Sequence, residues 1–200
     1  MLVNPAGIKK CRVRFGEAQE ELALCKQTKT HAEFARHWYR FLIAACAIIH
    51  ILESACRKDR KARQWFGEKR HKDRKDPLLL YMYQARNADE HGIEPVTKVT
   101  SGGWFIGAPG ESVHIEHLTL TPSGPSGRIR QNPDGSYPTV GTTPPQLHLL
   151  SVSDDRFPDQ KFDPPKEHMG AALDDCSPFG VAQSYLEYLS TSIEEASALR

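Results

Sequence analysis

The residues of this chain best equipped for chemistry lie together at 86–91, Arg86-Asn87-Ala88-Asp89-Glu90-His91. A permanently charged guanidinium, an amide, two carboxylates and an imidazole follow six apolar residues, Leu78 to Tyr83. Successive helical residues turn by about 100°. Asn87 and His91 therefore share a face, Arg86 shares one with Asp89 and Glu90, and Arg86 and His91 stand about 140° apart. The spacing alone supports an Arg86–Glu90 ion pair and a favourable interaction of His91 with the C-terminal helix dipole, each worth about 0.3 kcal/mol.

A second feature lies just upstream. Arg57, Lys58, Arg60, Lys61, Arg63, Lys69, Arg70, Lys72, Arg74 and Lys75 face only Asp59, Glu68 and Asp73. The run carries +7, which against a total of +1 leaves −6 for the rest of the chain. Such a run is either a solvated face or a strip that attracts phosphates, and it leads directly into 86–91. Other arrangements offer less. His114, Glu116 and His117 fall in a strand-like segment that splits them between two faces, a poor geometry for zinc. Asp154-Asp155 and Asp174-Asp175 read as loop acids, and the glycines match no phosphate-loop pattern. No metal and no cofactor is expected.

Arg86 to His91 resembles the R-x(4–6)-H signature of the HEPN superfamily, in which a polar residue, often Asn, follows the Arg. Its place near the end of a late helix of a small helical bundle is similar too. The likeness covers approximately Phe15 to Gly92 and the final helix, and leaves Val96 to Ser177 outside. It implies an RNA-binding protein or a metal-independent endoribonuclease, toxin or defence related, that works as a homodimer with two motifs in one cleft. It also implies attack of the RNA 2′-hydroxyl on the adjacent phosphate, and a neutralising protein partner. On that likeness His91 is the general acid or base, an imidazole having an ordinary pKa of about 6.5. Arg86 stabilises charge developing on the phosphate, and Asn87 orients His91 or the phosphate. Pairing two chains would relieve the separation of Arg86 from His91 around the helix. The alternative is a non-catalytic dimeric interaction or ligand-binding module in which the motif is structural and Arg86 is tied to Glu90.

The elements that must position these residues follow from periodicity and caps. Asp76-Pro77 opens a helix and Gly92 with Pro95 closes it, so 77–91 should be helical, with Gly92 in a left-handed C′ position. Thr30-His31-Ala32-Glu33 matches a capping box. Phe34, Trp38, Phe41, Leu42, Ala45, Ile48, Ile49, Leu52 and Ala55 then recur at helical spacing to about Cys56, and the nearly all-apolar middle marks this helix as the spine of a bundle. His50 reads as a core or boundary histidine. Residues 1–14 read as a loose arm, with a first helix from near Phe15 or Glu17 to about Thr28. Trp65-Phe66-Gly67 would anchor and end a short third helix.

After Pro95 the texture becomes strand-like. Val96–Thr100, Trp104–Gly107, Val113–Thr121 and Gln146–Val152 suggest a sheet of three to five strands, with the last two paired and a Pro/Gly-rich loop over Pro122–Pro145. Asp154–Ser177 reads as loop, and Phe179–Ala198 as a final helix returning to the bundle. The fold class is therefore α+β: a HEPN-like bundle of four to five helices with a small antiparallel elaboration. The division is 1–14 arm, 15–95 bundle, 96–177 β-rich region and 178–200 last helix. Two hundred residues with 39% hydrophobic and 26% charged content suit a globular protein. The five cysteines, with no C-x-x-C pair, suggest reduced thiols. No apolar run approaches a membrane span and no secretory signal is visible, so no membrane association and a cytoplasmic location are expected.

Overall fold

The computed structural model describes residues 2–107, 113–121, 124–132, 135–154 and 157–199. The fold is α+β, with a helical bundle and several short antiparallel strand pairs. Its helices are α1 (Pro5–Cys25), α2 (His31–Cys56), α3 (Arg60–Asp73), α4 (Pro77–His91) and α5 (Pro178–Ala198). The chain divides into two compact units, one of residues 1–98 with 148–200 and the other of 99–147.

Where a loose arm over 1–14 is expected, residues 5–14 form the start of α1. Asn4 caps α1 by accepting a hydrogen bond from the Ala6 N–H at 2.9 Å, and Pro5 occupies the first turn, where its missing N–H costs nothing. The weak apolar pattern of this stretch reflects a helix that buries only Ile8 and Cys11 there and turns Lys9, Lys10 and Arg12 outward. α1 lies antiparallel along α2: Asn4 N–H donates to the Ala55 carbonyl at 3.2 Å, Cys11 Sγ meets the Ile48 carbonyl at 3.8 Å and Cys25 Sγ meets that of Phe34 at 3.9 Å.

The capping box of α2 is present in both directions, with Glu33 N–H bonded to Thr30 Oγ1 and Thr30 N–H to the Glu33 carboxylate, each at 3.2 Å. Trp38, Phe41, Leu42, Ile48 and Leu52 are fully buried. At roughly 1.5–3 kcal/mol for each large apolar side chain removed from water, these five alone outweigh any cap. By length and composition α2 is also apolar enough to cross a membrane, and half of its most apolar stretch is buried inside the protein. α5 returns to the bundle as expected, packing on α1, α2 and α4. Leu186 is buried along with Val181, Tyr185, Tyr188, Leu189 and Ile193.

α3 does not stop at Gly67. Apart from its chain neighbours and the helix's own backbone, no described atom lies within 4 Å of where a Cβ on Gly67 would be, while Ala62, Phe66 and Asp73 hold the inner face. α4 spans 77–91 as the caps predict, but Gly92 is extended (φ −86°, ψ 173°) rather than left-handed. A side chain there would meet the Ala88 carbonyl at 2.5 Å, which is the physical requirement for glycine.

The strand region departs most from expectation. In place of a sheet of three to five strands, the described strands form five separate two-stranded ladders. β1 (Thr97–Thr100) pairs with β6 (Gln146–Leu149), and the boundary between the two units falls within this ribbon. Unit two holds β2 (Gly103–Ile106) against β5 (Val140–Thr143) and β3 (Ile115–Thr121) against β4 (Gly124–Ile129), all antiparallel. Thus the expected pairing of 113–121 with 146–152 is replaced by a local hairpin, and the expected 122–145 loop contains two strands. In unit one, β7 (Val152–Asp154) pairs with β8 (Phe157–Phe162), and β9 (Glu167–His168) with β10 (Ala171–Ala172). Residues 148–177 therefore belong with the helices rather than with a separate β-rich region.

Candidate functional site

α4 is held from its first turn. The buried Asp76 carboxylate accepts from Leu79 N–H at 3.0 Å through Oδ1, which also lies 3.0 Å from His168 Nδ1. Its Oδ2 accepts from Met169 N–H at 2.6 Å. Further along, the Tyr81 hydroxyl donates to the Leu150 carbonyl at 2.8 Å. Cys46 Sγ of α2 meets the Met82 carbonyl at 3.7 Å. These ties orient the polar end of the helix.

There the local chemistry of the spacing is realised. Arg86 Nη2 lies 2.7 Å from Glu90 Oε2, and Nη1 donates to Asn87 Oδ1 at 3.0 Å. His91 Nε2 is 3.7 Å from the same Glu90 oxygen and its side chain is 67% exposed. Within one chain, then, Arg86 and His91 meet only through a carboxylate that lies between them. Asn87 is buried and its Oδ1 is bonded to Arg86. Burial raises the Asp89 carboxyl above its ordinary pKa.

Arg86 has a second environment that its own helix does not reveal. It lines a cavity of about 550 Å³ together with Lys10 and Arg14 of α1 and His50 of α2. His91 is not part of that lining. His50, expected as a core or boundary residue, is exposed and lines this cavity and a smaller neighbour formed with Arg70, Asp73, Tyr83 and Tyr188. Cys46 also borders both, but burial pushes its thiol up to about 11, so at neutral pH it is neither nucleophile nor charge. The sequence reading missed Lys10, Arg14 and His50. For the first two the signal was Asn4-Pro5, an N-cap and first helical position that make Lys10 and Arg14 neighbours one turn apart.

The basic run is mostly a surface. Arg57, Lys58, Arg60, Lys61, Arg63, Lys72, Arg74 and Lys75 are exposed. Lys69 and Arg70 are not free strip residues: Lys69 pairs with Glu195 at 3.1 Å and lies over the Tyr188 ring at 4.6 Å, and Arg70 borders the smaller cavity. Two of the three acids in the run are absorbed by the fold. Asp59 caps α3 through Ala62 N–H at 2.9 Å, and Asp73 is buried with its carboxyl raised, chiefly by desolvation.

In the strand region Glu116 pairs with Arg130 at 2.6 Å and His117 Nε2 lies 3.1 Å from Thr119 Oγ1. Among the described residues no group of three or more His, Cys, Asp or Glu side chains is disposed to hold a metal ion. Asp155 lies outside the described residues. Cys11, Cys25, Cys46 and Cys56 are buried free thiols and Cys176 an exposed one. Comparison with family models, curated proteins and solved structures finds no match to the chain.

Proposed function

We propose that this protein binds RNA, through the exposed basic strip that runs from Arg57 along α3 to Lys75. The observation that carries the reading is the sorting of charge along that stretch: eight cations face solvent, while Asp59 is used as a cap and Asp73 is turned into the core. α3 is about 21 Å long, enough to follow several successive phosphates. Binding of this kind is dominated by release of counterions from the polyanion, so affinity should fall linearly with salt on a logarithmic scale.

The HEPN-like motif is assigned a structural part in this reading. Arg86 is occupied by Glu90 and Asn87, and His91 is separated from it by the same carboxylate. Cleavage by Arg86, Asn87 and His91 would need a second chain to bring another His91 opposite Arg86. Binding needs no such addition.

The test is fluorescence anisotropy with a labelled single-stranded RNA at several salt concentrations. Lys72→Glu with Lys75→Glu should weaken binding at least tenfold at low salt and flatten the salt dependence, by about 0.7 in logarithmic slope for each phosphate no longer neutralised. An affinity indifferent to both salt and these substitutions would show that the strip is not the binding surface. With RNA in chelator, His91→Ala should leave both the affinity and the integrity of the RNA as they are with the parent. A parent that cuts RNA, and a His91→Ala variant that does not, would restore the catalytic reading.

A further inference from the structure

The cavity beside Arg86 is built differently from the strip. Its floor is the half-exposed stripe of α2, Ile43, Ala47 and Ile51. Its far end is small and neutral: Gly7 approaches so closely that a Cβ on it would lie 2.5 Å from the Ala55 Cβ, and Ser54 borders the same end. The antiparallel course of α1 along α2 then sets Lys10 and Arg14 progressively nearer the Ile43 end. Arg86 enters from α4 one turn beyond Met82, whose carbonyl meets Cys46. Two guanidinium groups and an ammonium group therefore line a trough about 18 Å long, as twelve helical residues measure it, with Arg14 and Arg86 toward its Ile43 end and Lys10 one turn of α1 nearer Gly7.

No carboxylate appears among the described lining residues. Arg14 and Arg86 are each paired, with Glu17 at 2.5 Å and Glu90 at 2.7 Å. Lys10 is exposed and pairs with no carboxylate among the described residues. An uncompensated ammonium beside two guanidinium groups selects for negative charge, and a guanidinium fork matches either a phosphate or a carboxylate. The volume of about 550 Å³ lies within the range of small-molecule sites, and a lining that joins an apolar floor to polar and charged side chains is of their kind.

We propose that this trough binds a small amphiphilic anion: one phosphate or carboxylate head held by Lys10, Arg14 and Arg86, and an apolar body laid over Ile43, Ala47 and Ile51 toward Gly7. The site is independent of the RNA reading, because Lys10 and Arg14 belong to α1 and none of the exposed strip residues lines it.

The test is calorimetry on the intact protein with octyl phosphate and octanoate, and with octyltrimethylammonium as the opposite-charge control. At least one of the two anions should bind saturably at one per chain, and the comparison between them decides which head the site takes. The ammonium compound should not bind. Lys10→Glu, an exposed position that the fold does not need, should weaken the bound anion at least tenfold, and Arg14→Gln should act in the same direction. Lys72→Glu with Lys75→Glu should leave it unchanged. Equal binding of all three amphiphiles, binding that survives both α1 substitutions, or no binding of either anion would overturn the proposal. So would a dimer in sedimentation that excludes both anions, which would assign this face to a second copy of the chain.

Discussion

Asp76 is the residue on which most of the positioning of α4 converges. It is an N-cap that also receives Met169 N–H and contacts His168 Nδ1, so one buried carboxylate ties the helix start to the β9–β10 hairpin. Loss of an N-cap costs about 1 kcal/mol. A stranded backbone donor adds about 1–3 kcal/mol. Asp76→Ala should therefore destabilise the protein by about 2–4 kcal/mol in urea denaturation, and Asp76→Asn, which keeps a capping oxygen, by clearly less. A loss for Asp76→Ala no larger than for a surface substitution would mean that the hairpin is not held through this group. Half of this was legible: Asp before Pro is a local signal. The other half was not, because His168 and Met169 lie more than ninety residues away and nothing in their own neighbourhood marks them. Arg86 shows the same division, its pairing with Glu90 following from helical spacing and its place beside Lys10 and Arg14 only from the packing of three helices.

Among the elements, helices were readable where their ends are chemically marked and their faces apolar. The capping box of α2 and the Asp-Pro start of α4 each act within four residues. The opening of α1, residues 5–14, escaped because it buries only Ile8 and Cys11, and α3 ran past Gly67 because an exposed glycine costs a helix only about 1 kcal/mol. Strand pairing failed for a different reason: a run of β-branched residues says that a strand exists but not which other strand it meets. Chain-local hairpins won over the expected long-range pair, in keeping with the lower entropy of closing a short loop. The β9–β10 hairpin offers a test at this scale. Its two turn residues, Met169 and Gly170, have φ of +50° and +80°, the pattern of a type I′ turn that prefers Asn-Gly. Met169 is more than half exposed, so its side chain gives little packing to lose. Met169→Asn should raise stability by about 0.5–1 kcal/mol, since asparagine tolerates the left-handed region that costs other residues about 1–2 kcal/mol. A melting temperature that stays the same or falls would show that the Met169 side chain contributes more than its exposure suggests.

At the scale of the whole molecule the two units differ in kind. Among the described residues, every buried apolar side chain of the core lies in 2–98 or 148–199, from Val3 to Ala196. In 99–147 Pro138 is the only buried residue among those described, while Trp104, Phe105, Ile115, Leu118, Tyr137 and Val140 are exposed. So little burial among the described residues of 99–147 contributes little hydrophobic free energy to folding. The chain leaves the helical unit and returns to it along β1 and β6. Leu150 N–H donates to the Val96 carbonyl at 2.9 Å, and Thr100 Oγ1 donates to the Gln146 carbonyl at 3.2 Å. That antiparallel register sets Lys98 opposite His148, so an Asn-Gly turn joining them should close the ribbon as an ordinary two-residue hairpin. The shortened chain, with 99–147 replaced by Asn-Gly, should keep its helical circular dichroism and melt within about 4 °C of the parent, the shift expected from about 1 kcal/mol in a domain of this size. It should also retain the RNA affinity and salt slope of the intact protein, because the strip and α4 lie in the helical unit. Loss of helicity would place part of the stabilising core in 99–147. Loss of RNA affinity from a folded variant would instead put part of the binding surface among its exposed aromatic residues, Trp104, Phe105 and Tyr137, whose rings are suited to stacking on unpaired bases.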